Sequence, residues 1–188
     1  MLHTFQKAAF AVGLICATSL TANADTVEQN TTVNHFENQY VIDHADAKLM
    51  RMDRGVSVRL HIHGLTPGDA VTLWYFVFNT PAGCTGACGL DDVFNMDAEG
   101  KFVKNGDGTL SFNLDAHEKT GLSILRDDGV MIDADGKAEF RGRLRVGDVT
   151  EAIMGDGLLD PFNAEVQVIV GSHLICYRTC RCEAGLVT

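Results

Sequence analysis

From Gly55 onward the chain alternates between apolar and polar residues. Val56, Val58, Leu60 and Ile62 interleave with Ser57, Arg59, His61 and His63. A period of two puts one row on a core and the other on an outer face, which predicts a half-buried strand. The next segment, LTPGDA, carries Pro67-Gly68 and predicts a turn. Residues 71–79, VTLWYFVFN, are apolar at both parities and rich in aromatic and β-branched side chains. That composition predicts a central strand covered on both sides. Asn105-Gly106 and Asp107-Gly108 then precede Leu110, Phe112 and Leu114, a hairpin signal. In DADGKAEFRGRLRV a turn at Asp135-Gly136 leads into a strand with Phe140, Leu144 and Val146 inward. Arg141, Arg143 and Arg145 face outward. The last strand, 164–173, sets Ala164, Val166, Val168 and Val170 on one face and Glu165, Gln167, Ile169 and His173 on the other. Only VTEAIM, after a capping Asp148, reads as a helical turn. Short strands with turn signals between them define an all-β antiparallel sandwich or barrel in a single domain.

The flanks have a different texture. Residues 1–7 carry one positive charge, Ala8 to Leu20 is mostly apolar, and Ala22-Asn23-Ala24 is a small-x-small site. Residues 1–24 therefore read as a signal peptide cleaved before Asp25, with a secreted or periplasmic product. Cys16 follows Ile15, where a lipoprotein signal requires a small residue. Residues 25–54 read as a polar N-terminal arm, 55–173 as the β domain, and 174–188 as a Cys-rich tail in which the β pattern stops.

Charge narrows the partners. The chain holds 25 acidic against 15 basic residues, a net charge of −10, and loss of Lys7 with the leader makes it more negative by one. An acidic domain repels phosphate backbones and anionic lipid, so nucleic acid and membrane surfaces are poor partners. No membrane insertion is expected, because no segment after residue 24 is long and apolar enough to cross a bilayer. The expected partner is a small molecule or a protein.

Five cysteines lie beyond the leader: Cys84, Cys88, Cys176, Cys180 and Cys182. An exported chain uses cysteines mainly as disulfides. Cys84 and Cys88 sit four apart in a Gly-rich loop and are expected to bridge locally. The odd number leaves a free thiol or joins two chains into a disulfide-linked dimer. The acidic runs GLDDVFNMDAEG and DDGVMIDADG lack the completed calcium-loop pattern and are read as turns. No nucleophile-elbow, P-loop or HExxH motif occurs, so no catalytic residue can be named and enzymatic activity stays uncertain.

The histidines carry the sharpest chemistry. Side chains alternate along a strand, so His61 and His63 share a face and could converge on one copper or zinc ion. His173 is the best third metal ligand. His117, Asp91 and Asp92 are alternatives from loops. Arg59, on the same row as His61, would repel a cation. Without an ion, His61 and His63 could instead line a ligand pocket together with Trp74 of the aromatic strand.

GLTPGDAVTLWYFVFNTPAGCTGACGLDDVF resembles a block of exported bacterial β-rich proteins, PG-aromatic-VFN-P-Cys-Cys-acidic, followed by a later strand that here is NAEVQVIVGSH. That resemblance covers roughly residues 55–173 and implies an exported β-rich protein with no activity to carry over. The Gly that follows SH in that pattern is Leu174 here. HIHG with EFRGRL is similar to the chordin-type (CHRD) repeat, and the His-x-His strand is similar to that of copper/zinc superoxide dismutase. The cluster of histidines and Asp that the dismutase carries soon afterwards is missing between Gly64 and Ala116, where no histidine occurs, and the final His-rich CHRD strand is not recognisable. The expectation is thus an exported β-sandwich or barrel that binds an unknown ligand. A mononuclear copper or zinc protein is the alternative, and an enzyme with an unfamiliar site stands third.

Overall fold

The computed structural model describes residues 26–31 and 45–171. Residues 1–24, His173 and the three tail cysteines lie outside the described residues. In chain order the elements are β1 (Val27–Thr31), β2 (Asp46–Met52), β3 (Gly55–Ile62), β4 (Ala70–Phe78), α1 (Leu114–Thr120), β5 (Leu122–Met131), β6 (Ala138–Arg145), β7 (Ala152–Met154) and β8 (Glu165–Gly171). They form two four-stranded antiparallel sheets, ordered β1-β2-β3-β6 and β7-β5-β4-β8. Neither sheet closes on itself, so the all-β fold is a sandwich and not a barrel.

The alternation in β3 builds the core as its pattern requires. Val56, Val58, Leu60 and Ile62 are buried and meet Leu73, Tyr75 and Val77 of β4, with Ala47, Leu49, Phe140 and Leu144 beside them. β4 is apolar on both faces because it lies between two apolar layers. Its other face presents Trp74, Phe76 and Phe78 to the excursion between β4 and α1, which contributes Cys88, Val93 and Phe94. Phe94 stacks on Phe112 at 5.2 Å and meets Phe102 edge-on at 5.5 Å. These separations lie in the range that aromatic pairs favour.

Cys84 and Cys88 are joined by a disulfide at the start of this excursion. Replacing both by Ala should cost no more than about 2 kcal/mol, since closing so short a loop removes little chain entropy. Urea unfolding of wild type and variant measures this directly.

The structure departs from the sequence reading at five places. Residues 25–54 are not merely an arm, because they supply β1 and β2. Ala47 and Leu49 are buried while Lys48 and Met50 face outward, an alternation too short and too interrupted by charge to stand out. Residues 152–154 form β7, not a helical turn. The helix is α1, whose Asn113 side chain accepts a hydrogen bond from Ala116 N at 3.2 Å and whose C-cap Gly121 is left-handed at φ 58°. Leu114 accordingly opens a helix and is exposed instead of continuing a strand. β5 was hidden because only its first half, Leu122 to Leu125, is buried and its second half is acidic. Val146 lies just beyond β6 and is 42% exposed, so it does not extend the inward row.

Candidate functional site

The outer face of the first sheet gathers the polar residues of three strands into rows. Cross-strand partners lie directly opposite one another, and outward residues recur every second position. The first row is Asp46–His61–Glu139, the second Lys48–Arg59–Arg141, and the third Met50–Ser57–Arg143. Arg145 follows opposite Gly55.

His61 sits between two carboxylates. Its Nδ1 is 3.9 Å from Asp46 Oδ1 and its Nε2 is 3.4 Å from Glu139 Oε1. Nε2 is buried yet out of line for a hydrogen bond. β3 ends at Ile62, so His63 lies just past the strand, before the bend at Gly64, and is exposed. Both histidines line one open groove of about 260 Å³ together with Ile62, Asp133, Lys137, Ala138 and Glu139. That volume is below the range typical of pockets that enclose a drug-sized ligand, roughly 300–1,000 Å³. Asp133 is occupied in holding its own turn, where Oδ1 accepts from Asp135 N at 2.9 Å and Lys137 N at 2.8 Å.

The structure brings His61 and His63 together but separates them from Trp74. The indole is buried in the aromatic layer outside the second sheet, whereas the histidines lie outside the first, with the whole core between. A pocket shared by all three is therefore excluded. Strand parity explains this, because Trp74 and the core-facing Leu73 and Tyr75 point to opposite sides of β4. His117 is also elsewhere, with Nε2 2.7 Å from Val93 O; burial lowers its pKa despite that contact. Asp92 accepts from Gly89 N at 2.9 Å. Among the described residues, the metal-ligating atoms that cluster are those of Cys84, Cys88 and Asp92. Both sulfurs there are consumed by the disulfide, and a thiolate is the form that binds metal.

At the other end of the face positive charge dominates. Arg59 has Lys48 on one side and Arg141 on the other. Glu28 Oε1 pairs with Lys48 Nζ at 2.7 Å, and Glu139 Oε1 accepts from Arg141 Nε at 2.7 Å. The Arg141 hydrogen bond is the main cause that holds the Glu139 carboxyl below its ordinary range. Hydrogen bonds from Thr150 N and Oγ1 hold the Asp148 carboxyl below its ordinary range, and Arg145 adds a smaller contribution. Arg59 and Arg143 have no carboxylate partner among the described residues. The run Arg141, Arg143, Arg145 was visible in the sequence; its convergence with Lys48 and Arg59 was not, because Lys48 lies in the supposed arm.

A second polar pair faces inward. Tyr75 Oη and Asp127 Oδ2 converge over Gly142, and neither has a partner in regular hydrogen-bond geometry. They couple electrostatically all the same. Burial, then the nearby carboxylate, pushes the phenol upward. Burial also raises Asp127, only partly offset by the phenol. With its folded pKa above the unfolded one, Asp127 binds protons more tightly in the folded state. The contribution of Asp127 to stability should therefore fall as pH rises from about 4 through the raised value. Asp127→Asn should abolish that decline and add on the order of 1 kcal/mol at neutral pH, about 2–4 °C in Tm, read by thermal melts across pH.

The chain matches no protein-family model, no curated protein and no solved structure.

Proposed function

We propose that this protein is a binding module that holds an anionic partner against the outer face of its first sheet. The observation that carries this reading is the row Lys48–Arg59–Arg141, continued by Arg143, in a chain whose net charge is −10. Like charges directly opposite one another across strands are unfavourable. Lys48 and Arg141 each hold one carboxylate, Glu28 and Glu139, and an anion bridging them to Arg59 relieves the repulsion that remains. Arginine suits the task because its planar fork binds carboxylate or phosphate through two parallel hydrogen bonds. The acidic remainder of the surface opposes non-specific adhesion and so favours a defined face. The overall charge alone argued against anionic partners; its segregation reverses that expectation for this face.

Fluorescent poly-L-glutamate is the direct probe. Wild type should bind it at about 50 mM salt and weaken steeply by about 300 mM, as exposed charges are screened. Arg59→Glu with Arg143→Glu should reduce binding at least tenfold and leave stability within about 1 kcal/mol of wild type, as expected for exposed sites. Equal binding by wild type and the double variant would remove the reading. The disulfide and the leader-like N-terminus support an exported, oxidising compartment for this binding.

A second reading, a copper or zinc protein using His61, His63 and His173, is favoured by the two histidines lining one groove. In that case zinc or copper should raise Tm only while both His61 and His63 are intact.

A further inference from the structure

The strand that bears most of these arginines is also the edge of its sheet. β6 has β3 as its one strand neighbour among the described residues, and its far edge runs open along Ala138–Arg145 up to Val146, which bridges Leu158 in parallel. An edge strand offers unpaired backbone N–H and C=O groups to any extended chain laid beside it. Its outward residues are Glu139, Arg141, Arg143 and Arg145, all exposed, repeating every second position. That repeat is about 6.7 Å, the distance at which an extended peptide places its own same-face side chains.

We propose that the anionic partner is an acidic polypeptide segment that pairs antiparallel with β6 as an added strand. Its carboxylates would alternate with neutral residues and lie opposite Arg145, Arg143 and Arg141. This rests on the binding-face reading above and specifies what occupies that face. Three observations favour a peptide over other polyanions. The arginine period matches a strand and not merely a charged cloud. The edge provides backbone pairing, which only a polypeptide can complete. The outward rows of β2, β3 and β6 hold no Phe, Tyr or Trp, so the stacking platform on which single-stranded nucleic acid relies is missing. Glu139 adds selectivity: the residue opposite it must be neutral or basic, since a carboxylate there would repel.

The test uses the full chain and a blocked synthetic peptide, Glu-Thr-Glu-Thr-Glu-Thr-Lys, whose Lys falls opposite Glu139 in antiparallel pairing. A control carries the same side chains on an N-methylated backbone, which keeps every charge and removes the hydrogen bonds. The parent peptide should bind at least tenfold more tightly than the control. Amide hydrogen exchange across residues 138–145 should slow at least tenfold in its complex. Arg143→Gln should weaken the parent peptide several-fold. Equal affinity for parent and control, or no protection of 138–145, overturns strand addition, while binding of both that depends on Arg59 and Arg143 would leave the anion-binding face standing. The arginines could alternatively serve only to keep this edge from pairing with copies of itself. In that event Arg143→Gln forms dimers or aggregates while wild type binds neither peptide, and this outcome sinks both readings.

Discussion

Gly55→Ala is expected to destabilise the protein by about 4 kcal/mol or more, a large part of the roughly 5–15 kcal/mol that holds a typical domain folded. Gly55 opens β3 with φ at +142°, a region that residues with a Cβ rarely adopt. A Cβ built there lies 2.1 Å from Leu144 O and 2.9 Å from Arg145 Cα. These are backbone atoms of the neighbouring strand β6, so no side chain can rotate away to relieve the clash. The end of the β3–β6 ladder must open instead, and that ladder aligns the arginine rows. Urea unfolding should show a much lower midpoint or no folded baseline. A shift below about 1 kcal/mol would mean that the strands do not approach as described.

The second large effect is expected at Gly142, where the clash involves side chains. An added Cβ lies 1.8 Å from Asp127 Oδ2 and 2.1 Å from Tyr75 Oη. The Asp127 carboxylate is only partly buried and can swing out, but Tyr75 is locked in the core. Gly142→Ala should therefore cost about 2–3 kcal/mol, the upper range for overpacking. Removing the obstructing hydroxyl with Tyr75→Phe should recover at least about 1 kcal/mol of it in a double-mutant cycle. Strict additivity of the two substitutions would show that the phenol does not sit over Gly142.

The strands that could be read from the chain are those whose two faces meet different surroundings. β3 and β6 alternate cleanly because one face meets the core and the other is open. β4 was legible for the opposite reason, since its Trp74, Phe76 and Phe78 meet a second apolar layer. β5 was not legible, because its C-terminal half carries Arg126, Asp127 and Asp128. Nothing local announces that Asp127 turns toward Tyr75. The helix was misplaced because Asn113 and Gly121, its caps, flank a segment whose Leu110, Phe112 and Leu114 also fit a strand period. For the candidate site, the close spacing of His61 and His63 in the sequence pointed to one groove, although His63 lies just past the end of β3. The exclusion of Trp74 and the inclusion of Lys48 depended on which strands pair, and that is decided by tertiary packing.

The claim that binding occurs on the outer face of the first sheet is tested most directly by side-chain NMR. Arginine and lysine resonances would be followed while poly-L-glutamate is added to the full chain. The account predicts that Lys48, Arg59, Arg141 and Arg143 shift together and saturably, while Trp74 in the opposite layer stays unchanged. Shifts confined to other cations, such as Arg126 or Lys104, or centred on Trp74, would contradict it.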